Sequence, residues 1–348
     1  MSDSYQASVA RSRQIEERLA VQPGDFRMLT GDRPTGALHI GHYFGSIQNR
    51  LRLQQAGAEI WQLIADYQVI TDRDSVGEIQ DNVRNLVLDN VAAGLDPERA
   101  TFFTHSAVPA LNQLLLPFLS LVSVAELQRN PTVKDEATTA GIKSISGLML
   151  TYPVHQAADI LFCKANVVPV GRDQLPHLEQ TRVIARRFNE RYGATFPEPD
   201  ALLSSATLIL GTDGTKMSKS KGNVVELRMT ADETAKKLKG AKTDSDRHIT
   251  YDPENRPEVA NLLQIVSLCE GTDPASIAEE IGDGGGGGLK KRVTEALNET
   301  LAPLRARRAE LAAEPSYVHE VLRRGNERAT EMAETTLAEV REKMRMVY

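Results

Sequence analysis

Two short segments of this chain carry residue types suited to phosphate chemistry. His39-Ile40-Gly41-His42 sits where a Gly/Pro-rich loop, GDRPTGALHIGH, meets the helix expected after it. A helix N-terminus presents unpaired N–H groups and a partial positive charge, so phosphates settle there. Two imidazoles two residues apart add donors to the same phosphate chain. Gly41 lets an adenine ring approach the backbone, and Gly31, Pro34 and Gly36 shape the loop. Alone, the pair reads equally well as two surface histidines at a helix cap. About 180 residues later, GTDGTKMSKSKGN holds Lys216-Met217-Ser218-Lys219-Ser220 in a glycine-flanked loop. A lysine is a mobile point charge, able to follow negative charge that shifts from a triphosphate to a leaving pyrophosphate. Alone, such a loop is usually just solvated.

A third group sets a carboxylate on one face of a helix. TYPVHQAADIL places Tyr152, Gln156 and Asp159 at i, i+4 and i+7, one face of a helix whose first turn would hold Pro153. A carboxylate among apolar neighbours is costly unless a donor meets it. A ring N–H, which can only donate, would satisfy Asp159; so would a structural bond to backbone.

The surrounding elements must bring these segments together. DFRMLTG reads as a strand, followed by the first loop and the helix YFGSIQNRLRLQQAG; IWQLIADYQVIT and ATFFTHS read as further strands, with EIQDNVRNLVLDNVAAGL a helix between them. Strands alternating with helices indicate an α/β fold with a doubly wound parallel sheet. Residues 1–23 form a polar helical arm, 24–222 the Rossmann-like domain carrying the motifs, and 223–348 an almost wholly helical, highly charged domain. The apolar run LNQLLLPFLSLVSVAELQ within 110–150 is either core helix or subunit contact. Gly284 to Gly288, five glycines in a row, read as a mobile loop.

Composition sets outer bounds. The 348 residues suit about two domains, and 41% apolar with 25% charged residues is ordinary for a globular protein. No apolar run approaches the length of a membrane helix, and the first twenty residues lack a signal-peptide core. Two distant cysteines, Cys163 and Cys269, exclude a disulfide framework or a four-cysteine zinc site, so a cytoplasmic location is expected. A net charge of −6 runs mildly against nucleic-acid binding, which nevertheless depends on local basic patches.

The two phosphate segments together are the paired signature of class I aminoacyl-tRNA synthetases, conventionally HIGH and KMSKS, intact and in the expected order. From about Arg27 onward the chain resembles the tryptophanyl-tRNA synthetases, as a diverged bacterial-type subgroup. That resemblance implies L-tryptophan, ATP with Mg2+, and tRNA(Trp) as substrates, a homodimer, no membrane, and no dedicated metal site in the protein. By the same resemblance His39, His42, Lys216 and Lys219 are catalytic. The nucleotide site would include Arg33, Pro34, Thr35, Gly41, His42, Gly171, Arg172, Asp173, Leu208, Lys216, Met217, Ser218, Lys219 and Ser220. The tryptophan site would include Gln68, Tyr152, Gln156, Asp159, Val168, Val170 and Gln174, with Asp159 reading the indole N–H and Gln174 the ammonium. Residues 223–348 resemble the helical anticodon-binding domain, whose phosphate-tracking candidates are Lys290, Lys291, Arg292, Arg305, Arg307, Arg308, Arg323 and Arg324.

Departures from the family pattern cluster at both substrate sites. Arg33, Gln68, Gln156, Arg172 and the histidine at position 42 replace residues more usual there, which points to altered affinity or inhibitor response. A tyrosyl-tRNA synthetase is the closest rival reading, favoured by Gln156 and opposed by VPVGRDQ and TDSDRHITYDPENRP. Small nucleotidyltransferases share an HxGH helix start but generally lack the lysine loop. An idle paralogue acting as a binding protein would have no need of His39, His42, Lys216 and Lys219.

Overall fold

The computed structural model describes residues 3–71, 75–139, 141, 144–203 and 208–348. Five parallel strands form its sheet: β1 (Arg27–Asp32), β2 (Glu59–Ile64), β3 (Ala100–Thr104), β4 (Val167–Val170) and β5 (Asp200–Leu203), in the order β3-β2-β1-β4-β5. Every pairing is parallel, with Met28 opposite Val167 and Ile60 opposite Ala100. Strands covered on both faces read as continuous apolar runs, and all five residues of β3 are buried. The order reverses at the β1/β4 junction. In doubly wound sheets, ligands bind in the crevice beyond the carboxyl ends of strands at such a switch. Trp61, Phe103 and Phe162, all fully buried, meet edge to face in the core.

Both sheet edges are closed, which removes the hazard of unpaired strand donors. The N-terminal helix Asp3–Leu19 lies on β5, where Ser12 Oγ accepts from the Leu203 amide at 3.0 Å and Arg11 pairs with Asp200. The C-terminal helix Tyr317–Lys343 lies on β3, where Asn326 Oδ1 accepts from the Thr104 amide at 3.0 Å. Gly325 permits this approach: a Cβ there would sit 1.8 Å from the Phe102 carbonyl oxygen. The helix Gly285–Ala312 is tied to the helix Ile79–Ala93 by Arg308 and buried Asp89, 2.6 Å apart.

Two local expectations are corrected. Gly285 to Gly288 form the first turn of a 28-residue helix, not a loop, and Gly284 closes the short 3-10 turn before it. Packing overrides the poor helix propensity of glycine, because a Cβ on Gly286 would lie 2.8 Å from Thr243 Oγ1. Pro153 lies in the interior of the helix Gly147–Leu161, not in its first turn. That helix starts earlier because Ser146 Oγ caps it by accepting from the Met149 amide at 3.0 Å. The apolar 110–150 stretch divides its roles: Leu111, Leu114, Phe118, Leu121 and Leu127 are core, while Leu116 and Val124 stand 75% and 60% exposed.

Candidate active site

A cavity of about 710 Å³ opens beyond the carboxyl ends of β1 and β4. Its lining includes all seven residues expected at the tryptophan site: Gln68, Tyr152, Gln156, Asp159, Val168, Val170 and Gln174. It also includes Arg33, Thr35, His42, Gly171, Asp173 and Lys216 from the expected nucleotide site. Three segments far apart in sequence therefore share one space.

The two phosphate segments meet through backbone bonds. The Ile40 amide donates to the Val225 carbonyl at 3.0 Å, and the Leu227 amide to the Leu38 carbonyl at 3.0 Å. His39 and Glu226 form an antiparallel bridge. Close approach is built into the glycines: a Cβ on Gly41 would lie 3.2 Å from Met217 Sδ, and one on Gly36 would lie 2.7 Å from Lys219 Nζ. Asn223 fixes the lysine loop, its Oδ1 accepting from the Ser218 amide at 2.7 Å and its Nδ2 donating to the Lys216 carbonyl at 3.1 Å.

The histidine pair has a defined electrical state. The His39 amide donates to His42 Nδ1 at 3.2 Å, with ring centroids 3.8 Å apart. A neutral ring whose Nδ1 accepts carries its proton on Nε2, so His42 offers a donor from its other nitrogen. Burial, then the neighbouring charges of His42 and Lys219, push the His39 pKa down to about 3. Burial likewise lowers His42; Asp32 opposes the shift, while Lys219 and Arg50 add to it. Directly after the pair, Tyr43–Ile47 form a π-turn that continues into the helix Gln48–Ala56. Such widened turns recur at functional sites.

Asp159, only 1% exposed, is held by side chains and not by an empty apolar wall. His105 Nε2 donates to its Oδ1 at 2.8 Å, and Gln68 Nε2 approaches its Oδ2 at 3.3 Å. Tyr152 receives a bond from His177 Nε2 at 2.8 Å, because His177 Nδ1 already accepts from Asn130 Nδ2 at 3.2 Å. Burial drives the His177 pKa down to about 4. A buried ion pair forms another part of the cavity wall: Arg50 donates to Asp32 Oδ1 at 2.8 Å and to Asn90 Oδ1 at 3.1 Å. Burial pushes Asp32 up, but the charge and hydrogen bond of Arg50 prevail and hold it below the usual carboxylate range.

His105, His177, Asp32 and Arg50 escaped the sequence reading. The available signals were a carboxylate at the end of β1 and a histidine just past β3. His105, His155 and Asp159 offer ligand atoms within 4.8 Å of one another, the separation a metal ion requires. His105 Nε2 already bonds Asp159 Oδ1 directly, and His155 Nε2 bonds Asn112 Oδ1 at 2.8 Å.

Several expected residues stand apart from the lining. The Arg172 guanidinium lies over the Tyr5 ring of the N-terminal helix, 4.7 Å from its centroid. Leu208 is 70% exposed. Pro34, Gly41, His39, Met217, Ser218 and Lys219 flank the cavity through the contacts of the two signature segments, and the Ser220 side chain lies outside the described residues. In the helical region, Arg292, Arg308, Arg323 and Arg324 pair with Glu270, Asp89, Glu320 and Glu98 respectively. Those pairs reduce the basic field they offer to a polyanion. Among the described residues, no helix is long and apolar enough to cross a membrane.

Comparison with known proteins fits this geometry. The sequence profile of the class I tRNA synthetases (W and Y) matches residues 22–302. A tryptophan–tRNA ligase of Treponema pallidum is 41% identical over 339 residues, covering 91% of this chain and 96% of the relative. One of Thermotoga maritima is 39% identical over 334 residues, covering 92% and 100%. The fold matches the tryptophanyl-tRNA synthetase of Campylobacter jejuni complexed with ADP and tryptophan, with a TM-score of 0.79, 30% identity, and 92% and 99% coverage of the two chains. A tyrosyl-tRNA synthetase of Archaeoglobus fulgidus, 23% identical with a TM-score of 0.66, shares the fold.

Proposed function

The chain belongs to the class I tRNA synthetases of the tryptophan and tyrosine branch, and from that premise we propose how it works as a tryptophan–tRNA ligase. In the first step, a carboxylate oxygen of L-tryptophan attacks the α-phosphorus of ATP. The bond from that phosphorus to the bridging oxygen breaks, and pyrophosphate leaves. In the second step, a ribose hydroxyl at the 3′ end of tRNA(Trp) attacks the activated carbonyl, and AMP leaves.

Each residue acts by placing charge or shape. Val168 and Val170 wall the ring site, Asp159 accepts the indole N–H, and Gln174 meets the ammonium. His42 donates from Nε2 to the phosphate chain, as its Nδ1 is occupied by the His39 amide. Lys216 and Lys219 draw off the charge that builds on the departing pyrophosphate. Holding carboxylate and phosphate in one crevice removes the entropic cost of their encounter. Mg2+ enters with ATP as part of that substrate. The protein acts as a homodimer in the cytosol.

The observation that carries this reading is the shared cavity, in which all the residues expected around the ring line one space with Arg33, Thr35, His42, Gly171, Asp173 and Lys216 of those expected around the nucleotide. Tryptophan-dependent exchange of labelled pyrophosphate into ATP, followed by charging of tRNA(Trp), tests it. Exchange without charging would confine the protein to the first step. No exchange with any amino acid would favour a binding protein.

A further inference from the structure

We propose that His105 is the residue that positions Asp159 for its substrate and so sets the preference for a ring bearing an N–H. The proposal rests on the reading of Asp159 as the acceptor of that N–H.

His105 stands one residue beyond the carboxyl end of β3 and is fully buried. It is absent from the cavity lining, whereas Asp159 and Gln68 are both part of it. The two carboxylate oxygens of Asp159 are held unequally. Oδ1 takes a short 2.8 Å bond from the imidazole, while Oδ2 takes only a long 3.3 Å bond from the Gln68 amide. A buried carboxylate with one oxygen clamped by a rigid ring has its plane and its other oxygen fixed. Oδ2, shared with a cavity-lining amide on a weak bond, is the atom left to accept from a ligand.

The clamp is itself braced. The Tyr67 ring stacks on His105 with centroids 6.1 Å apart and a 16° tilt, and the His155 ring lies 4.5 Å away. Asn112 joins the two histidines: its Nδ2 donates to the His105 carbonyl at 2.9 Å, and its Oδ1 accepts from His155 Nε2 at 2.8 Å. Tyr67, His155 and Asn112 are not part of the cavity lining, unlike Gln68 and Asp159. His105 therefore acts through Asp159 and without touching the ligand. Removing the imidazole leaves Oδ1 unpaired in a buried site, and the carboxylate then turns toward the Gln68 amide to recover a bond.

The test uses the full-length protein and two ligands: tryptophan, and its analogue with sulfur in place of the ring N–H. His105→Leu is expected to raise the tryptophan KM in pyrophosphate exchange by about 10- to 100-fold, the range for a lost hydrogen bond to a charged group. The ATP KM should stay within about twofold, and the preference for tryptophan over the sulfur analogue should shrink with the rise in KM. His105→Gln and His105→Asn supply the control that a purely structural role would not separate. A glutamine amide reaches the place of Nε2 and should restore the preference; asparagine reaches only the place of Nδ1 and should not. If His105→Leu fails to fold, the Gln and Asn variants decide alone. Equal behaviour of those two, or a wild-type preference in His105→Leu while Asp159→Ala loses it, overturns the proposal and leaves the reading of Asp159 standing. If Asp159→Ala itself keeps the preference, that reading falls first and the proposal with it.

Discussion

Lys219 lies so close to Gly36 that a Cβ at position 36 would sit 2.7 Å from its ammonium nitrogen. The glycine also has φ +134°, outside the range that side-chain-bearing residues prefer. The first signature loop thus leaves room, at one backbone position, for Lys219 of the second. Gly36→Ala should displace Lys219 and lower the rate of adenylate formation by about tenfold or more, as misplacing an aimed group does. Lys219→Ala or Lys216→Ala should cost about 10²–10³-fold. Tryptophan affinity should change little in all three. Single-turnover adenylation at the wild-type rate would refute the role given to the lysines.

His42→Ala separates transition-state from ground-state contacts. Phosphate donors at a helix start tighten as charge moves, so kcat should fall more than the KM for ATP rises. Steady-state kinetics over a range of ATP concentrations measures both. A rise in KM alone would mean uniform binding.

Acid should destabilise the fold before the carboxylates titrate. His39 and His177 have pKa values pushed down to about 3 and 4, and burial lowers His42 and His155 as well. Their stabilising contribution is complete above the unfolded value of about 6.5 and is lost as pH falls toward those folded values, because the unfolded chain then binds more protons. His105 works in the opposite sense. Burial would lower it, but Asp159 and Asp66 raise it, so its contribution is complete below about 6.5 and fades as pH rises through its folded value. With four groups against one, Tm should drop between pH 6.5 and 4.5. His177→Gln, which keeps a donor for Tyr152, should flatten that slope. A Tm that rises on acidification through this window would contradict the assignment.

The proposed homodimer has a candidate surface. Leu116 and Val124 are large apolar groups standing in solvent beside a packed core. Light scattering should report about twice the 38.2 kDa chain mass, and Leu116→Asp with Val124→Asp should halve it. A wild-type particle of single-chain mass at working concentration would exclude the homodimer.

Much of this site was legible because its parts are local. Loop, histidine pair and lysine loop are contiguous runs, and Tyr152, Gln156 and Asp159 follow helical spacing, so periodicity alone puts them on one face. The alternation of strands and helices likewise announces the parallel sheet. What escaped depends on convergence. His105 is a lone histidine past a buried strand, and nothing in ATFFTHS says that β3 ends against the helix bearing Asp159. Asp32 and Arg50 each look like ordinary charged residues until β1 and the helix after the π-turn place them in bidentate contact. The glycine run misled for a related reason: propensity describes an isolated chain, whereas Thr243 packs closely against Gly286 in that helix start.

The central claim is that the cavity selects tryptophan. Apolar walls distinguish ring shapes by only about 1–3 kcal/mol, while a site built to pair a donor discriminates far more strongly. Phenylalanine brings no donor to Asp159, and tyrosine brings one at the ring tip instead of along the side of a fused ring. The direct measurement is kcat/KM for pyrophosphate exchange with tryptophan, tyrosine and phenylalanine under one set of conditions. Tryptophan should exceed both by about 10⁴-fold or more, as expected where a buried polar group would otherwise stay unpaired. Faster activation of tyrosine than of tryptophan would contradict the account and make this a tyrosine enzyme.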